Sequence, residues 1–420
     1  MEAVKRSENM RKDAKDISIS EPKDRAADQI KFIGIGGGNG KTTMAKMIQA
    51  LFIKSGLNVG LISHYEITAG YERMEEGSSF MDCEKFWFCV NRMAAKGIDI
   101  ILIEFNFLYI DPKILDQIEL DAVLYASIDL KYEKMLANFS KYIALQKKIL
   151  DRLRQNGTMI IGSDDENNVC LLKGNGNHFI ITYGFSPRAT VTASSMNVSP
   201  MLEFYCCIQR GLTTRKQTDV EPMEFPIRMN LLGKHNVYNA LGAVAVCLLY
   251  GISIEKIMAG FKAFKGPRRR LAQIYDQEYQ IVDDIAQNAS GLDCVFETIQ
   301  SIDYKDLHIL IGIGKEKSGQ NHLFYVDSFC NGLRMLHCTH LITTCHVDFS
   351  NREEKIVKEQ INIFHRNLEK NNIRFIYKES LQEAIQTFLA FARQGDLLLI
   401  LGEEISDAGR LVKEALIERR

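Results

Sequence analysis

The sequence predicts an α/β protein of two domains, each built on a mostly parallel β-sheet covered by helices. In both halves of the chain, short apolar segments alternate with segments of helical periodicity. Several of these segments are continuously apolar, as strands buried on both faces of a parallel sheet are. Short alternating segments between the halves predict a small antiparallel extension of the first sheet. The expected fold is a central α/β domain with this extension, followed by a second Rossmann-like α/β domain.

The central domain is predicted to follow a charged tail. Residues 1–30 are rich in Lys, Arg, Glu and Asp and show little apolar periodicity, which is typical of a tail rather than of a folded unit. Helices are predicted at 41–55 and 83–96. The strands predicted in this domain are 31–35, 59–63, 98–105, 122–128 and 158–163.

Turn sequences divide residues 169–227 into the short strands of the extension, and an Ala- and Leu-rich helix follows at 235–249. Gly251 is placed to end that helix. The segment 264–270 predicts a linker, because Gly-Pro breaks a helix and three consecutive arginines resist burial. The strands predicted after it are 280–285, 307–313, 340–345, 373–377 and 396–401, with helices at 351–369 and 381–393. The predicted domains are therefore a tail at 1–30, a central domain at 31–265 and a C-terminal domain at 266–420.

Composition is that of an ordinary globular protein. The 420 residues are 46% hydrophobic and carry a formal net charge of −1, so neither nucleic acid nor an anionic membrane is an expected partner. No apolar run approaches the roughly 18 residues of a membrane span, which predicts a cytoplasmic protein. The cysteines form no Cys-x-x-Cys pair, and most are predicted to be buried thiols. A metal site at Cys338, His340, Cys345 and His346 is the weaker alternative, since these residues flank a predicted strand.

A glycine-rich loop joins the first predicted strand to the first predicted helix. Glycines stand at positions 34, 37 and 40 ahead of Lys41, Thr42 and Thr43, whereas the common P-loop has a glycine where this chain has Ile35. Backbone N–H groups and the helix N-terminus of such a loop favour phosphate, Lys41 can reach the terminal phosphates, and Thr42 can hold Mg²⁺. The predicted nucleotide-binding residues of this loop are Gly37, Asn39, Gly40, Lys41, Thr42 and Thr43.

Four further motifs follow the loop in a fixed order. Glu104 ends one predicted strand, Asp164-Asp165 ends another, His235-Asn236-x-x-Asn239 opens a helix, and Asp283-Asp284 lies beyond the arginine-rich linker. With the loop, these motifs make residues 31–420 resemble the Mur ligase family of ATP-dependent acid–amino acid ligases. The resemblance implies that a carboxylate attacks the γ-phosphate of ATP to give an acyl phosphate. An amine then displaces the phosphate, so ADP and phosphate are released.

The resemblance also implies roles for particular residues. Glu104 would bind Mg²⁺ and, with Lys41, act in catalysis; alone it could be an ordinary strand-end carboxylate. Asn236 would contact adenine, although Asn is equally suited to capping a helix. Asp284 would lie near the ribose, and Arg269 would reach the nucleotide unless the arginines are simply a solvated linker. Lys147 falls near the position of a carbamylated lysine that assists metal binding, or it lies on a solvated helix face.

The expected ligands are ATP, Mg²⁺ and small-molecule or peptide-like carboxylate and amine substrates, and no protein partner is indicated. The sequence departs from the family after the fourth predicted strand, where a Thr-Asn pair and a metal-binding histidine are usual: it has Ala126-Ser127 in place of the pair and Tyr132 in place of the histidine. A second magnesium site is therefore not predicted. The segment Gly402-Glu403-Glu404 differs from the usual substrate motif, so amino-acid specificity is not carried over. The charged tail is also too short for the N-terminal UDP-sugar-binding domain, which we expect to be missing.

Two other functions stay open at this stage. The eroded second metal site is compatible with a nucleotide-binding pseudoenzyme that acts as a scaffold or regulatory subunit. A P-loop ATPase or kinase of another family would explain the glycine-rich loop but would leave Asn236 and Asp284 without a role.

Overall fold

The computed structural model describes residues 29–76, 80–127, 139–165, 168, 171, 178–198, 201–314, 320–345 and 351–418. Over these residues the chain forms two large β-sheets flanked by helices, and one separate two-stranded ribbon. The predicted α/β class with two sheet domains is confirmed. The predicted tail falls mostly on residues 1–28, outside the described part of the chain.

The first sheet has eleven strands among the described residues. In chain order, the strands of the first domain, including the ribbon strands β11 and β12, are β1 (Lys31–Gly36), β2 (Val59–Ile62), β3 (Glu66–Ala69), β4 (Glu72–Glu76), β5 (Ile100–Glu104), β6 (Leu120–Tyr125), β7 (Leu153–Gly162), β8 (Phe179–Tyr183), β9 (Val191–Asn197), β10 (Leu202–Ile208), β11 (Leu212–Thr213), β12 (Asp219–Val220) and β13 (Met223–Met229). The order across the sheet is β13-β10-β9-β8-β7-β6-β1-β5-β2-β3-β4.

The centre of this sheet is parallel and carries the glycine-rich loop. β1 pairs in parallel with β5 on one side and β6 on the other, and β2, β7 and β8 continue the parallel arrangement. The carboxyl ends of these strands therefore meet at one edge, which is where ligands bind in open α/β sheets. The segments that follow β1, β2, β5, β6 and β7 all start from this edge.

The sheet is antiparallel towards both ends. The pairs β9/β10 and β10/β13 form the predicted extension. At the opposite end, the pairs β2/β3 and β3/β4 form a hairpin that sequence reasoning missed. Its charged residues at 72–76 obscure the apolar alternation by which a strand is recognised, because an edge strand buries little of its surface.

The helices of the first domain cover both faces of the sheet. They are α1 (Lys41–Lys54), α2 (Cys83–Ala95), α3 (Phe139–Leu150), α4 (His235–Leu249) and α5 (Ile254–Ala263). Helix α4 is buried along most of its length and packs against α1. The two approach closely at Gly242, where an added Cβ would lie 3.2 Å from Met44 Cε. The predicted helix at 235–249 is confirmed, and Gly251 follows its end with φ +69°.

The second sheet has six strands, in the order β14-β15-β19-β16-β17-β18. Its strands are β14 (Ala272–Asp276), β15 (Gln280–Asp284), β16 (Leu307–Gly312), β17 (Cys338–Thr344), β18 (Ile376–Lys378) and β19 (Leu397–Leu401). Its helices are α6 (Ala289–Gln300), α7 (Gln320–Leu336), α8 (Asn351–Lys370), α9 (Leu381–Phe391) and α10 (Ala408–Glu418). All pairs are parallel except β14/β15, and β14 is an edge strand that the sequence did not reveal.

Three other expectations can be compared with the structure. The predicted boundary after residue 265 falls in the segment that joins α5 to β14, and it stays a prediction. No helix within the described ranges has both the length and the apolar character needed to cross a membrane. Among the described residues, no three His, Cys, Asp or Glu side chains form a group that could hold a metal ion, and His346 of the Cys/His cluster lies outside these residues.

Candidate nucleotide-binding site

A cavity of about 760 Å³ lies between the two domains, at the carboxyl edge of the first sheet. One wall is the glycine-rich loop with the segments that follow β2, β5 and β7. The opposite wall comes from the second domain, chiefly the start of α6 and the turn after β15. The residues that line the cavity include Gly38, Asn39, Gly40, Lys41, Thr42, Thr43, His64, Glu104, Asp164, Lys234, His235, Asn239, Arg270 and Asp284.

The conformation of the loop requires glycine at two positions. Gly37 has φ +101°, and an added Cβ there would lie 2.5 Å from the Ala126 carbonyl oxygen. Gly40 has φ +94°, and its added Cβ would lie 2.4 Å from Asn239 Oδ1. Side chains larger than hydrogen would therefore be both strained and crowded. The absence of a Cβ lets the loop backbone fold against β6 and α4.

Hydrogen bonds hold the loop in place from behind. The Gly37 N–H donates to Gln146 Oε1 at 2.9 Å, and the Gly38 N–H donates to the Ser127 carbonyl at 2.9 Å. Gln146 lies on α3 and is buried. These contacts fix the loop against the rest of the domain, as a pre-organised phosphate cradle requires.

Lys41 curls back over this loop. Its Nζ donates to the carbonyl oxygens of Gly37 at 2.8 Å and Gly38 at 2.6 Å. The ammonium group therefore lies above the backbone that is predicted to receive phosphate. A cation held there is placed to neutralise the charge of a bound phosphate chain.

Thr42, Glu104 and His64 form a buried cluster beside Lys41. Thr42 Oγ1 donates to Glu104 Oε1 at 2.8 Å, and His64 Nδ1 lies 3.5 Å from the same oxygen. Burial by itself would raise the pKa of Glu104, but His64, the charge of Lys41 and the Thr42 hydrogen bond outweigh burial and lower it. Glu104 is therefore ionised at neutral pH.

The cluster fits a divalent cation. Glu104 Oε2 is buried and has no hydrogen-bond partner among the described residues. An unpaired buried carboxylate oxygen is costly unless another group satisfies it. Carboxylate and hydroxyl oxygens are the ligands that Mg²⁺ takes, and a cation would supply the missing partner.

The helix motif reaches the cavity through Asn239 rather than through Asn236. Asn236 is 3% exposed, its Nδ2 donates to the Leu232 carbonyl at 2.7 Å, and its Oδ1 accepts from Asn239 Nδ2 at 3.0 Å. His235 and Asn239 line the cavity, whereas Asn236 does not. Burial and the charge of Arg270 lower the pKa of His235 to about 4, so this imidazole is neutral. Asn236 thus buttresses Asn239 in this structure.

Arg269 and Arg270 of the linker point in different directions. Arg269 Nε donates to Asp283 Oδ1 at 3.1 Å, and its guanidinium also donates to the Gly402 carbonyl, so this side chain belongs to the second domain. Arg270 lines the cavity and donates to the Tyr65 hydroxyl at 2.7 Å. The linker arginine that faces the cavity is therefore Arg270, one residue beyond the predicted Arg269.

Asp284 lies at the carboxyl end of β15 and lines the cavity. Its Oδ2 accepts from the Leu271 N–H at 2.7 Å and its Oδ1 from the Ala286 N–H at 2.6 Å. Burial raises the pKa of this carboxyl, and nearby Arg270 opposes the increase. Leu271 and Ala286 both have positive φ, so Asp284 holds together a turn that non-glycine residues rarely adopt.

Lys147 is not brought into the site. It is exposed on α3 and is not among the residues lining the cavity, while its neighbour Gln146 contacts the loop. In this structure Lys147 lies on the solvent-exposed face of α3, which was the alternative to a metal-binding role. Tyr132, the other residue considered for a metal site, lies outside the described residues.

Asp164 lines the cavity as part of a predicted motif, and a contact that the sequence did not predict joins the two walls of the cavity. Asp164 accepts from the Ser186 N–H at 2.8 Å and also lines the cavity. Asn39 of the loop and Asn288 at the N-cap of α6 exchange side-chain amide hydrogen bonds of 3.4 and 3.1 Å. This amide pair connects the loop directly to the second domain.

Sequence reasoning missed His64, Gln146, Arg270 and Asn288. His64 immediately follows the predicted strand 59–63, so the strand-end argument applied to Glu104 could also have found it. Arg270 is one of three consecutive arginines, and only the backbone conformation decides which one faces the cavity. Gln146 and Asn288 carry no local sequence signal, because their importance depends on partners more than 100 residues away.

Sequence profiles of one family match both domains. The profile described as the Mur ligase middle domain matches residues 35–247, and that of the Mur ligase glutamate ligase domain matches residues 269–404. The chain belongs to the Mur ligase family. Members of this family are ATP-dependent ligases that form amide bonds, and the chain is therefore an ATP-dependent acid–amino acid ligase.

Individual relatives have low sequence identity to this chain but align with most of its length. UDP-N-acetylmuramoyl-L-alanyl-D-glutamate–2,6-diaminopimelate ligase 1 of Clostridium acetobutylicum is 26% identical over 391 residues, covering 90% of this chain and 74% of the relative. The ligase of the same activity from Clostridium botulinum is 24% identical over 386 residues, with the same two coverages.

Solved structures show the same fold. UDP-N-acetylmuramoylalanyl-D-glutamyl-2,6-diaminopimelate–D-alanyl-D-alanyl ligase from Acinetobacter baumannii matches with a TM-score of 0.67 at 16% identity, covering 94% of this chain and 77% of that one. MurF ligase from Thermotoga maritima, solved in complex with ADP, matches with a TM-score of 0.65 at 13% identity, covering 94% and 83%. A pseudomurein peptide ligase type C from Methanothermus fervidus matches with a TM-score of 0.63 at 20% identity, covering 92% and 79%.

Proposed function

We propose that this Mur ligase binds ATP in the cavity between its domains and joins a carboxylate to an amine there. The observation that carries the assignment is the convergence of Lys41, Thr42 and Glu104 from the first domain with Arg270 and Asp284 from the second. Phosphoryl transfer depends mainly on positioning and charge neutralisation, which this arrangement can supply.

The first domain is proposed to hold the triphosphate. The first backbone N–H groups of α1 would bind the phosphates, and Lys41 lies over the backbone of the loop. Thr42 and Glu104 would hold a magnesium ion, which would neutralise charge on the phosphates. Magnesium itself is a part of the proposal.

The second domain is proposed to hold the nucleoside. Asp284 and Arg270 face the cavity from that side, and Asn239 faces it from α4. The Thermotoga maritima MurF ligase, which shares the fold, was solved in complex with ADP, and this supports nucleotide binding by the present chain. Asn236 and Arg269 act in this proposal by holding Asn239 and the second domain in place.

The reaction is proposed to proceed in two displacement steps. An oxygen of the substrate carboxylate attacks the γ-phosphorus of ATP, and ADP leaves. The amine nitrogen then attacks the acyl carbon, phosphate leaves, and the nitrogen loses a proton. Closing the two walls around the cavity would keep water away from the activated acyl group.

The substrates are proposed to be a peptide-like carboxylate and an amino acid or other amine. This follows the names of the relatives, which are ligases of UDP-N-acetylmuramoyl peptides. The amine would enter from the α6 side, where the carboxylates of Asp293 and Glu297 line the cavity and favour an incoming ammonium group. The comparisons give no support to the alternative of a nucleotide-binding scaffold.

The proposal is tested by replacing Lys41. We expect Lys41→Ala to lower ADP release at least about 100-fold, because phosphate charge is then unneutralised. Purified protein is incubated with ATP, magnesium and pooled carboxylates and amines, and ADP is measured. Lys148→Ala, an exposed lysine on α3, is the matched control and should behave like wild type.

Two results would contradict the proposal. ADP release from Lys41→Ala at the wild-type rate would remove the loop from the reaction. A folded wild-type protein that binds ATP but releases no ADP above background with any substrate pool would instead favour the scaffold. Circular dichroism of each variant establishes that its fold is retained.

A further inference from the structure

His64 is a buried histidine whose ring nitrogens make no hydrogen bond within the described part of the chain, although Nδ1 lies 3.5 Å from Glu104 Oε1. Its side chain is only 6% exposed, and neither Nδ1 nor Nε2 has a hydrogen-bond partner among the described residues. Burying a ring nitrogen without a hydrogen bond is costly. A histidine in this state beside the proposed nucleotide site therefore points to a bound group that its nitrogen would contact.

The aromatic neighbours of His64 fix the plane of its ring. The ring stacks on Tyr109 with centroids 4.9 Å apart and an interplanar angle of 13°, and it also contacts Tyr65. Stacking uses the faces of an imidazole and leaves the in-plane lone pair of its nitrogen available. The aromatic packing thus orients the ring of His64 but supplies no hydrogen-bond partner for its nitrogens.

The positions of the neighbouring oxygens match those of ligands around one ion. His64 Nδ1 lies 3.5 Å and Thr42 Oγ1 lies 2.8 Å from Glu104 Oε1. Adjacent ligands of an octahedral ion with bonds of about 2.1 Å are separated by about 3.0 Å. Both measured separations lie within about 0.5 Å of this spacing, so the three side chains are close enough together to be ligands of one cation.

We propose that His64 provides a nitrogen ligand to the divalent cation that Thr42 and Glu104 hold. This inference rests on the cation site of the proposed function and adds the identity of a third ligand. Imidazole suits Mn²⁺ and other transition metals better than Mg²⁺, which prefers oxygen. The site should therefore bind Mn²⁺ more tightly, relative to Mg²⁺, than a site made of oxygens alone.

The decisive experiment detects the nitrogen directly. Wild-type protein containing ¹⁵N-labelled histidine is loaded with Mn²⁺ and a non-hydrolysable ATP analogue, and the bound Mn²⁺ is examined by pulsed electron paramagnetic resonance. We expect a nitrogen coupling that changes with the histidine label, which excludes adenine as its source. The coupling should disappear in His64→Phe, which removes both nitrogens and keeps an aromatic ring against Tyr109.

His337→Asn is the matched control, because His337 is exposed in the second domain and its positive φ suits asparagine. This variant should keep the coupling. Titrations should also show that His64→Phe weakens Mn²⁺ binding by about tenfold or more and weakens Mg²⁺ binding by a smaller factor. The ratio of the Mg²⁺ dissociation constant to the Mn²⁺ dissociation constant should therefore fall.

The outcomes separate this inference from the proposed function. Bound Mn²⁺ without label-dependent coupling, or with a coupling that persists in His64→Phe, would overturn the role of His64. If Glu104→Gln still weakened Mn²⁺ binding in that case, the cation site itself would stand. Wild-type Mn²⁺ affinity in Glu104→Gln would instead remove the proposed cation site and this inference with it.

Discussion

At the scale of single residues, the charge of Glu104 is central. It is buried at the end of β5, ionised, and contacts Thr42 through one oxygen while the other has no partner among the described residues. A buried carboxylate in this state is expected to bind a cation rather than to stabilise the fold. Its removal should therefore affect the reaction more than the stability.

We expect Glu104→Gln to lower ADP release by about 100-fold or more and to raise the magnesium concentration needed for half-maximal activity. The glutamine keeps the shape but has no charge, so it binds Mg²⁺ weakly. The measurement is ADP release as a function of magnesium concentration. Glu119→Gln, an exposed glutamate paired with Arg154, is the control. Unchanged magnesium dependence in Glu104→Gln would leave Glu104 with a structural role.

Residue-scale reasoning from the sequence found the chemistry but not every side chain that faces the cavity. Several of the predicted residues do line the cavity, namely Glu104, Asp284 and the loop residues Asn39 to Thr43. Arg269 and Asn236 are one and three residues away from Arg270 and Asn239, which line it instead. Sequence spacing places a motif at the site, but the local φ and ψ angles decide which member of the motif points inward.

At the scale of elements, the loop between β1 and α1 depends on backbone conformation. Gly40 combines a positive φ with a close approach to Asn239, and both are required for the start of α1. Gly56, which follows α1, has a similar φ of +87° but no atom within 4 Å of an added Cβ. The two glycines therefore separate the effect of strain from the effect of crowding.

We expect Gly40→Ala to destabilise the protein by about 1–3 kcal/mol and to abolish detectable ATP binding, since the loop must move away from Asn239. Gly56→Ala should show the strain alone, about 1 kcal/mol, with ATP binding unchanged. Urea unfolding and calorimetric titration with ATP measure the two effects. Equal ATP affinity in Gly40→Ala and Gly56→Ala would show that crowding at Asn239 does not shape the loop.

Elements with strong periodicity were predictable, whereas two of the edge strands were not. The helix at 235–249 is long, apolar and followed by Gly251, so its bounds agree with α4. The buried strands of both sheets were recognised because they are continuously apolar. The edge strands β4 and β14 were missed, because an edge strand pairs on one side only and can carry polar residues. The short strand β3, which lies between β2 and β4, was missed with its hairpin partner β4.

At the scale of the whole molecule, the cavity exists only when both domains contribute to it. Most of the loop-side wall is fixed within the first domain, whereas Asn288, Asp284 and Arg270 belong to the second domain or to the linker. No sequence pattern reports such an arrangement, since its contacts join residues far apart in the chain. The amide pair between Asn39 and Asn288 is the contact that joins the glycine-rich loop itself to the second domain.

Asn288 has two functions that one substitution can separate. Its Oδ1 caps α6 by accepting from the Gly291 N–H at 2.7 Å, and its amide also pairs with Asn39. Serine is as good an N-cap as asparagine but is too short to maintain the amide pair. Asn288→Ser should therefore leave the stability of α6 nearly unchanged while weakening the connection between the domains.

We expect Asn288→Ser to raise the KM for ATP about three- to tenfold, because each lost amide hydrogen bond is worth about 0.5–1.5 kcal/mol. Thermal unfolding should shift little, and small-angle scattering should show a larger radius of gyration, since the domains separate more often. Asp82→Ser is the control: it alters the N-cap of α2, where Asp82 accepts from the Lys85 N–H, away from the amide pair. An unchanged radius and KM in Asn288→Ser would mean that the other contacts between the domains suffice to hold the cavity closed.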